Sequence, residues 1–94
     1  MENNNVSKHH YFYAVGLSYK KADAEMRGKF SLDSLAKTRL LEQAKTEGIE
    51  SLIVTSTCNR TEIYGFAEHP FQLIKLICEN SQGSIEAFQK VGFV

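Results

Sequence analysis

The sequence predicts an α+β fold: a ferredoxin-like two-layer sandwich with its helices on one face of a small sheet. Three observations predict it. Strand-like and helix-like segments follow one another as β-α-β-β-α, mixed rather than strictly alternating. The second and third strand segments are joined by a short polar stretch, which suits an antiparallel hairpin. A long amphipathic helix separates the first strand from the second, as a split β-α-β unit requires. The pattern is truncated before a fourth strand is complete. With 94 residues the chain has enough material for one small domain.

Each element has a local reason. Residues 1–9 are polar and read as a disordered tail, in which His9 beside His10 is a solvated pair rather than a metal site. "YFYAVGLS" (Tyr11–Ser18) is aromatic and β-branched and reads as a buried strand. "YKKADAEMRGK" then reads as a connection long enough to suggest a functional loop. "FSLDSLAKTRLLEQAKTEG" is an amphipathic helix, with Ser31 as N-cap and Asp33 in the first turn against the positive end of the dipole. Phe30 and Leu35 are spaced for a hydrophobic staple. Leu32, Leu35, Ala36, Leu40 and Ala44 make the apolar face, and Gly48 supplies a left-handed stop.

"IESLIVTST" is the second strand, centred on Leu52, Ile53 and Val54, and "EIYGFAE" is the third. Pro70 suits the first position of a helix running to Asn80, with Phe71, Ile74, Ile77 and Cys78 inward and Gly83 ending it. "SIEAFQK" is a short helical turn capped by Ser84, and "VGFV" starts a fourth strand.

Composition excludes several function classes. Hydrophobic residues make up 43% and charged residues 23%, ordinary values for a soluble domain. Eleven basic and 11 acidic residues cancel, so no strongly basic surface for nucleic acid is indicated, although Lys20, Lys21, Arg27 and Lys29 cluster. The polar start lacks a signal-peptide core, and no apolar stretch is long enough to span a membrane. Two cysteines, Cys58 and Cys78, fit free thiols in a reduced cytoplasmic setting. Asn59-Arg60-Thr61 matches a glycosylation sequon by chance.

The chemistry-bearing stretch is "TSTCNRTEIYGF", which follows the apolar centre of the second strand. Cys58 stands there among Ser56, Thr57, Asn59 and Arg60, where a cysteine chosen for packing would have apolar neighbours. Arg60 is a permanent cation two residues on and favours the thiolate, the nucleophilic form. Two readings stand at this point: a catalytic thiol, or a small buried hydrophobe. Cys78, which follows Leu76 and Ile77 on a helix, is a packing residue. Cys58, His69 and Cys78 are too widely spaced for a zinc site, and no metal site is indicated. There is no CxxC pair, no Gly-rich phosphate loop and no GxGxxG, so no nucleotide site is encoded in these residues.

"STCNRTEIY" resembles the signature of the glutamyl-tRNA reductases, and "VGLSYKKADAEMRGKFS" is similar to that family's N-terminal strand and loop. The likeness covers about residues 13–67 well and the rest loosely. It implies that the tetrapyrrole (porphyrin, haem) precursor glutamate-1-semialdehyde is the product. A cysteine attacks the ester carbonyl of glutamyl-tRNA, tRNA leaves a thioester, and hydride from NADPH reduces that thioester. By the same resemblance Cys58 is the nucleophile, and Thr57, Asn59 and Arg60 line the glutamate pocket with Arg60 facing a carboxylate. Arg27 is a further candidate for that pocket; the alternative is a surface arginine.

Two departures from the family pattern stand out: Ser18-Tyr19 in place of an Asn-His pair, and Gly28 in place of a Glu. Family members run to several hundred residues, so residues 10–94 correspond to the N-terminal part of the catalytic domain. The acid/base histidine, the NADPH-binding domain and the dimerisation domain are expected beyond Val94. The partners implied are glutamyl-tRNA, a second copy in a homodimer, and glutamate-1-semialdehyde aminomutase. The competing reading is a non-catalytic ferredoxin-like module that holds RNA or a protein through its loop and Lys20, Lys21 and Lys29.

Overall fold

Strand β1 forms over Tyr11–Ser18, as predicted. The computed structural model describes residues 10–94 apart from Tyr19, Glu50 and Cys58, so the expected tail at residues 1–9 lies outside the described residues. The β1 strand is half-buried rather than wholly buried. Val15 and Leu17 point into the core, while Phe12 on the opposite face is 59% exposed. Alternation along a strand with one covered face accounts for the difference.

The connection predicted after β1 contains a helix, α1 (Ala24–Lys29), whose N-cap Asp23 accepts the Met26 N–H at 2.8 Å. Phe30 ends it, fully buried, with its ring edge-on to Phe88 at 5.9 Å between centroids. Helix α2 covers Ser34–Thr46 and starts later than predicted. Its cap is Asp33, which accepts the Ala36 N–H at 2.8 Å; Ser31 instead donates its hydroxyl to the Gly28 carbonyl at 2.9 Å. A carboxylate is the stronger partner for the positive end of a helix. The later start leaves Leu35 65% exposed, so no staple forms with Phe30, and the inward stripe is Ala36, Leu40 and Ala44. Gly48 has the predicted positive φ, 84°. Its N–H bonds the Lys45 carbonyl and the Ile49 N–H bonds that of Ala44, the paired closure of a Schellman end.

Strands β2 (Leu52–Ser56) and β3 (Arg60–Ala67) form the expected antiparallel hairpin. Arg60 and Thr61 belong to β3 and not to the polar connection. The sheet order is β1-β3-β2, with β3 antiparallel to both neighbours. On the outer edge of β1, Phe93 exchanges two backbone bonds with Gly16, at 2.7 and 3.1 Å. This is an isolated bridge at the place where a fourth strand is predicted.

Helix α3 spans Pro70–Glu79, with Pro70 in the first turn and His69 and Gln72 closing a capping box. Its buried residues are Leu73, Leu76 and Ile77, spaced three and four apart. Phe71, predicted inward, is 44% exposed because it lies off that stripe. Asn80 ends the helix ahead of Gly83 by donating its side-chain amide to the Leu76 carbonyl at 2.9 Å. Ser84 caps the last helix, α4 (Ile85–Val91), as predicted.

Helix α3 packs on β1 and β3, and α2 and α4 pack against α3. Val15, Leu17, Leu40, Ile63, Leu73 and Ile77 share one core. The described residues thus form a small α+β unit: a three-stranded antiparallel sheet and four helices.

Candidate functional site

The hairpin end is built by hydrogen bonds from short polar side chains. The Thr57 N–H donates to the Arg60 carbonyl at 2.8 Å and closes the ladder beyond the Ser56–Thr61 pair. The Thr57 hydroxyl accepts the Asn59 N–H at 3.2 Å and the Arg60 N–H at 3.3 Å. A threonine in this position satisfies backbone donors that would otherwise lack partners. Cys58 itself lies outside the described residues.

A second set of bonds fixes the neighbouring segment against this hairpin. The Ser56 hydroxyl accepts the Leu32 N–H at 2.9 Å and meets the buried Thr61 hydroxyl at 3.1 Å. The stretch between α1 and α2 is thereby tied to the turn end of the hairpin. Arg27, on α1, donates from Nη1 to the Ala22 carbonyl at 2.7 Å. An open cleft of about 390 Å³ results, lined by Ala24, Arg27, Gly28 and Ser31 on one side and Thr57 and Asn59 on the other.

Three of the predicted site residues, Arg27, Thr57 and Asn59, therefore share one cleft, and Thr57 and Asn59 are the chain neighbours of position 58. Arg60 stands apart from the lining. It lies on the outer face of the sheet, where its Nη1 forms an ion pair with Glu62 Oε2 at 3.5 Å. Glu62 Oε1 in turn accepts the Tyr64 hydroxyl. That bond raises the Tyr64 phenol above its ordinary value, with burial and the Glu62 charge acting in the same direction and the Arg60 charge opposing. Glu62 is only 7% exposed. Neither Glu62 nor Tyr64 figures in the sequence reading as a functional residue; a nearly buried carboxylate is visible only once Gly16 is placed opposite it.

Cys78 is half-buried against the core, in line with its predicted packing role. Burial, then the nearby Glu79 carboxylate, push its thiol up from the ordinary value. Lys20, Lys21 and Lys29 are exposed. Among the described residues no group of three or more His, Cys, Asp or Glu is placed to hold a metal ion. Among them, too, no helix is long and apolar enough to cross a membrane.

Comparison with known proteins gives these positions a context. Residues 15–94 match the family described as glutamyl-tRNA(Glu) reductase, N-terminal domain. Over its whole 94 residues the chain is 76% identical to a glutamyl-tRNA reductase of Flavobacterium psychrophilum, covering 23% of that protein. It is 69% identical, again over its whole length, to glutamyl-tRNA reductase 2 of Flavobacterium johnsoniae and covers 22% of it. A glutamyl-tRNA reductase of Acinetobacter baumannii is 36% identical over 69 residues, which is 72% of this chain and 16% of the relative. The chain spans about a quarter of the length of the curated relatives that it matches end to end.

Proposed function

We propose, since the chain belongs to the glutamyl-tRNA reductase family through its N-terminal domain, that it carries the nucleophile of that oxidoreductase. The observation that supports this reading is the meeting of Arg27, Thr57 and Asn59 on one cleft, Thr57 and Asn59 being the chain neighbours of Cys58. In the reading, the Cys58 thiolate adds to the ester carbonyl of glutamyl-tRNA. The tetrahedral adduct collapses, the C–O bond to the terminal ribose breaks, and the ribose oxygen takes a proton from solvent and leaves as free tRNA. A glutamyl thioester remains. The division of labour is chemically sensible, because a thioester is reduced more readily than an oxygen ester and tRNA departs before hydride arrives.

When bound to such an enzyme, NADPH would supply the hydride that turns the thioester into glutamate-1-semialdehyde, the tetrapyrrole precursor. The described residues do not fit that cofactor: among them no Gly-rich phosphate-binding turn joins a strand to a helix. The chain covers 23% and 22% of two of its relatives, and reduction, the homodimer contacts and the contact with glutamate-1-semialdehyde aminomutase are proposed for the parts of such a cytoplasmic enzyme that it does not cover. Thr57 and Asn59 position the glutamyl group, and its carboxylate is met either by Arg27 within the cleft or by Arg60 on the sheet face outside the lining. The finer fold reading has support as well. The β1-β3-β2 order, with Phe93 bonded to the outer edge of β1, suits a ferredoxin-like sandwich whose fourth strand lies beside β1.

The test is single-turnover cleavage of glutamyl-tRNA by the full-length protein and its Cys58→Ser variant. Loss of tRNA release in the variant, with its fold unchanged, is the expected result. Release that persists in the variant refutes the nucleophile assignment. Binding of tRNA without any cleavage by the wild-type protein favours the RNA-binding module instead.

A further inference from the structure

We propose that Glu62 is a positioning residue that aims the Arg60 guanidinium at the substrate carboxylate, with Tyr64 fixing the Glu62 carboxylate in turn. The inference rests on the reading that Arg60 meets that carboxylate. Glu62 is 7% exposed although it lies on the outer, less covered face of the sheet. A carboxylate sheltered to this degree loses hydration and requires partners. Glu62 has two, one for each oxygen: the Tyr64 hydroxyl at Oε1 and Arg60 Nη1 at Oε2. The hydroxyl bond stops the carboxylate from rotating, so Oε2 stays turned towards Arg60.

The strand opposite is shaped for this arrangement. A Cβ at Gly16 would stand 2.8 Å from the Glu62 Cα, 3.0 Å from its Cγ and 2.2 Å from the Thr61 carbonyl oxygen. Only a glycine there lets the Glu62 stem lie close across β1. Among the described residues, Glu62 engages the guanidinium through Nη1 alone. A guanidinium is a planar fork, so fixing one end orients the other for a paired bond to a second carboxylate. A single flexible arginine that is 44% exposed would not hold that orientation unaided.

The experiment is a double-mutant cycle in the full-length protein, read as kcat/KM for cleavage of glutamyl-tRNA. Arg60→Ala is expected to lower it about a hundredfold and Glu62→Gln about tenfold, the range for bonds to charged groups. If Glu62 acts through Arg60, Glu62→Gln has no further effect once Arg60 is alanine. Tyr64→Phe, which keeps the ring, is expected to cost about threefold and likewise to cost nothing in the Arg60→Ala background. It carries the test should Glu62→Gln not fold. Losses that multiply in the double variants overturn the positioning role, because a purely structural carboxylate acts whatever stands at position 60. So does a Glu62→Gln variant, or failing that a Tyr64→Phe variant, with wild-type kcat/KM. An Arg60→Ala variant with wild-type kcat/KM overturns the reading of Arg60 itself, and with it the inference.

Discussion

The two cysteines of this chain have different sequence neighbours, polar around Cys58 and apolar before Cys78, and their reactivity should differ accordingly. Cys78 is half-buried on α3, and burial together with Glu79 raises its thiol above the ordinary value. Less of it is thiolate at neutral pH, so it reacts slowly. Cys58, between Thr57 and Asn59 and two residues from the Arg60 cation, is expected to be alkylated faster by iodoacetamide in the folded protein. Peptide mass spectrometry of timed samples measures both rates, and equal rates would contradict the assignment. The raised Cys78 value also has a sign for stability. The folded state holds the thiol proton more tightly than the unfolded state does. That contribution is fully present below the ordinary thiol value and is lost as pH rises through it towards the raised one. A Cys78→Val variant should lack this alkaline decline in urea-melt midpoint; an unchanged decline would assign it elsewhere. Arg27, Thr57 and Asn59 were legible as site residues only through the resemblance of their stretches to the family pattern, whereas polar neighbours at a strand end by themselves point to Cys58 alone. Glu62 and Tyr64 were not legible, since strand alternation assigns Glu62 to solvent and only the neighbouring Gly16 reverses that.

At the scale of elements, the strands, the two long helices and the starts of α3 and α4 were legible, while the start of α2 and the short α1 were not. Over six residues Met26 is the one large apolar side chain, too little for a helical stripe to register. Ser31 and Asp33 are both good caps, and only geometry decides between them. Asp33→Ala should therefore destabilise the protein by about 1 kcal/mol, and Ser31→Ala by much less, in urea unfolding of the full-length protein. The reverse order would mean that α2 begins two residues earlier. Gly28 offers a test of opposite sign. It sits inside α1, and a Cβ there would meet nothing within 4 Å. Gly28→Ala is expected to stabilise by about 0.5–1 kcal/mol; a loss of stability would show that the position needs its glycine.

For the whole molecule, the contacts that hold the candidate cleft together run between distant parts of the chain. The Leu32 N–H bond to Ser56 joins the α1–α2 segment to the hairpin, and the Gln82 N–H bond to the Lys29 carbonyl joins the end of α1 to the α3–α4 link. Phe30 sits where these meet, fully buried and edge-on to Phe88. Such long-range pairings leave little local trace, which is why the sequence pattern located the strands yet did not show that α1 frames the cleft. Phe30→Ala should cost about 3–5 kcal/mol, a large share of the roughly 5–15 kcal/mol that a domain has in all. A loss under 1 kcal/mol would mean that the α1 segment packs independently. The central claim concerns the Cys58 thiol. Its most direct measurement is to incubate the full-length protein with glutamyl-tRNA in the absence of NADPH, quench in acid, digest, and locate the glutamyl adduct by mass spectrometry. The account predicts an adduct on the peptide containing Cys58, sensitive to hydroxylamine as a thioester is and absent from Cys58→Ser. Glutamyl transfer to any other residue, or cleavage of the ester with no thioester at Cys58, would contradict it.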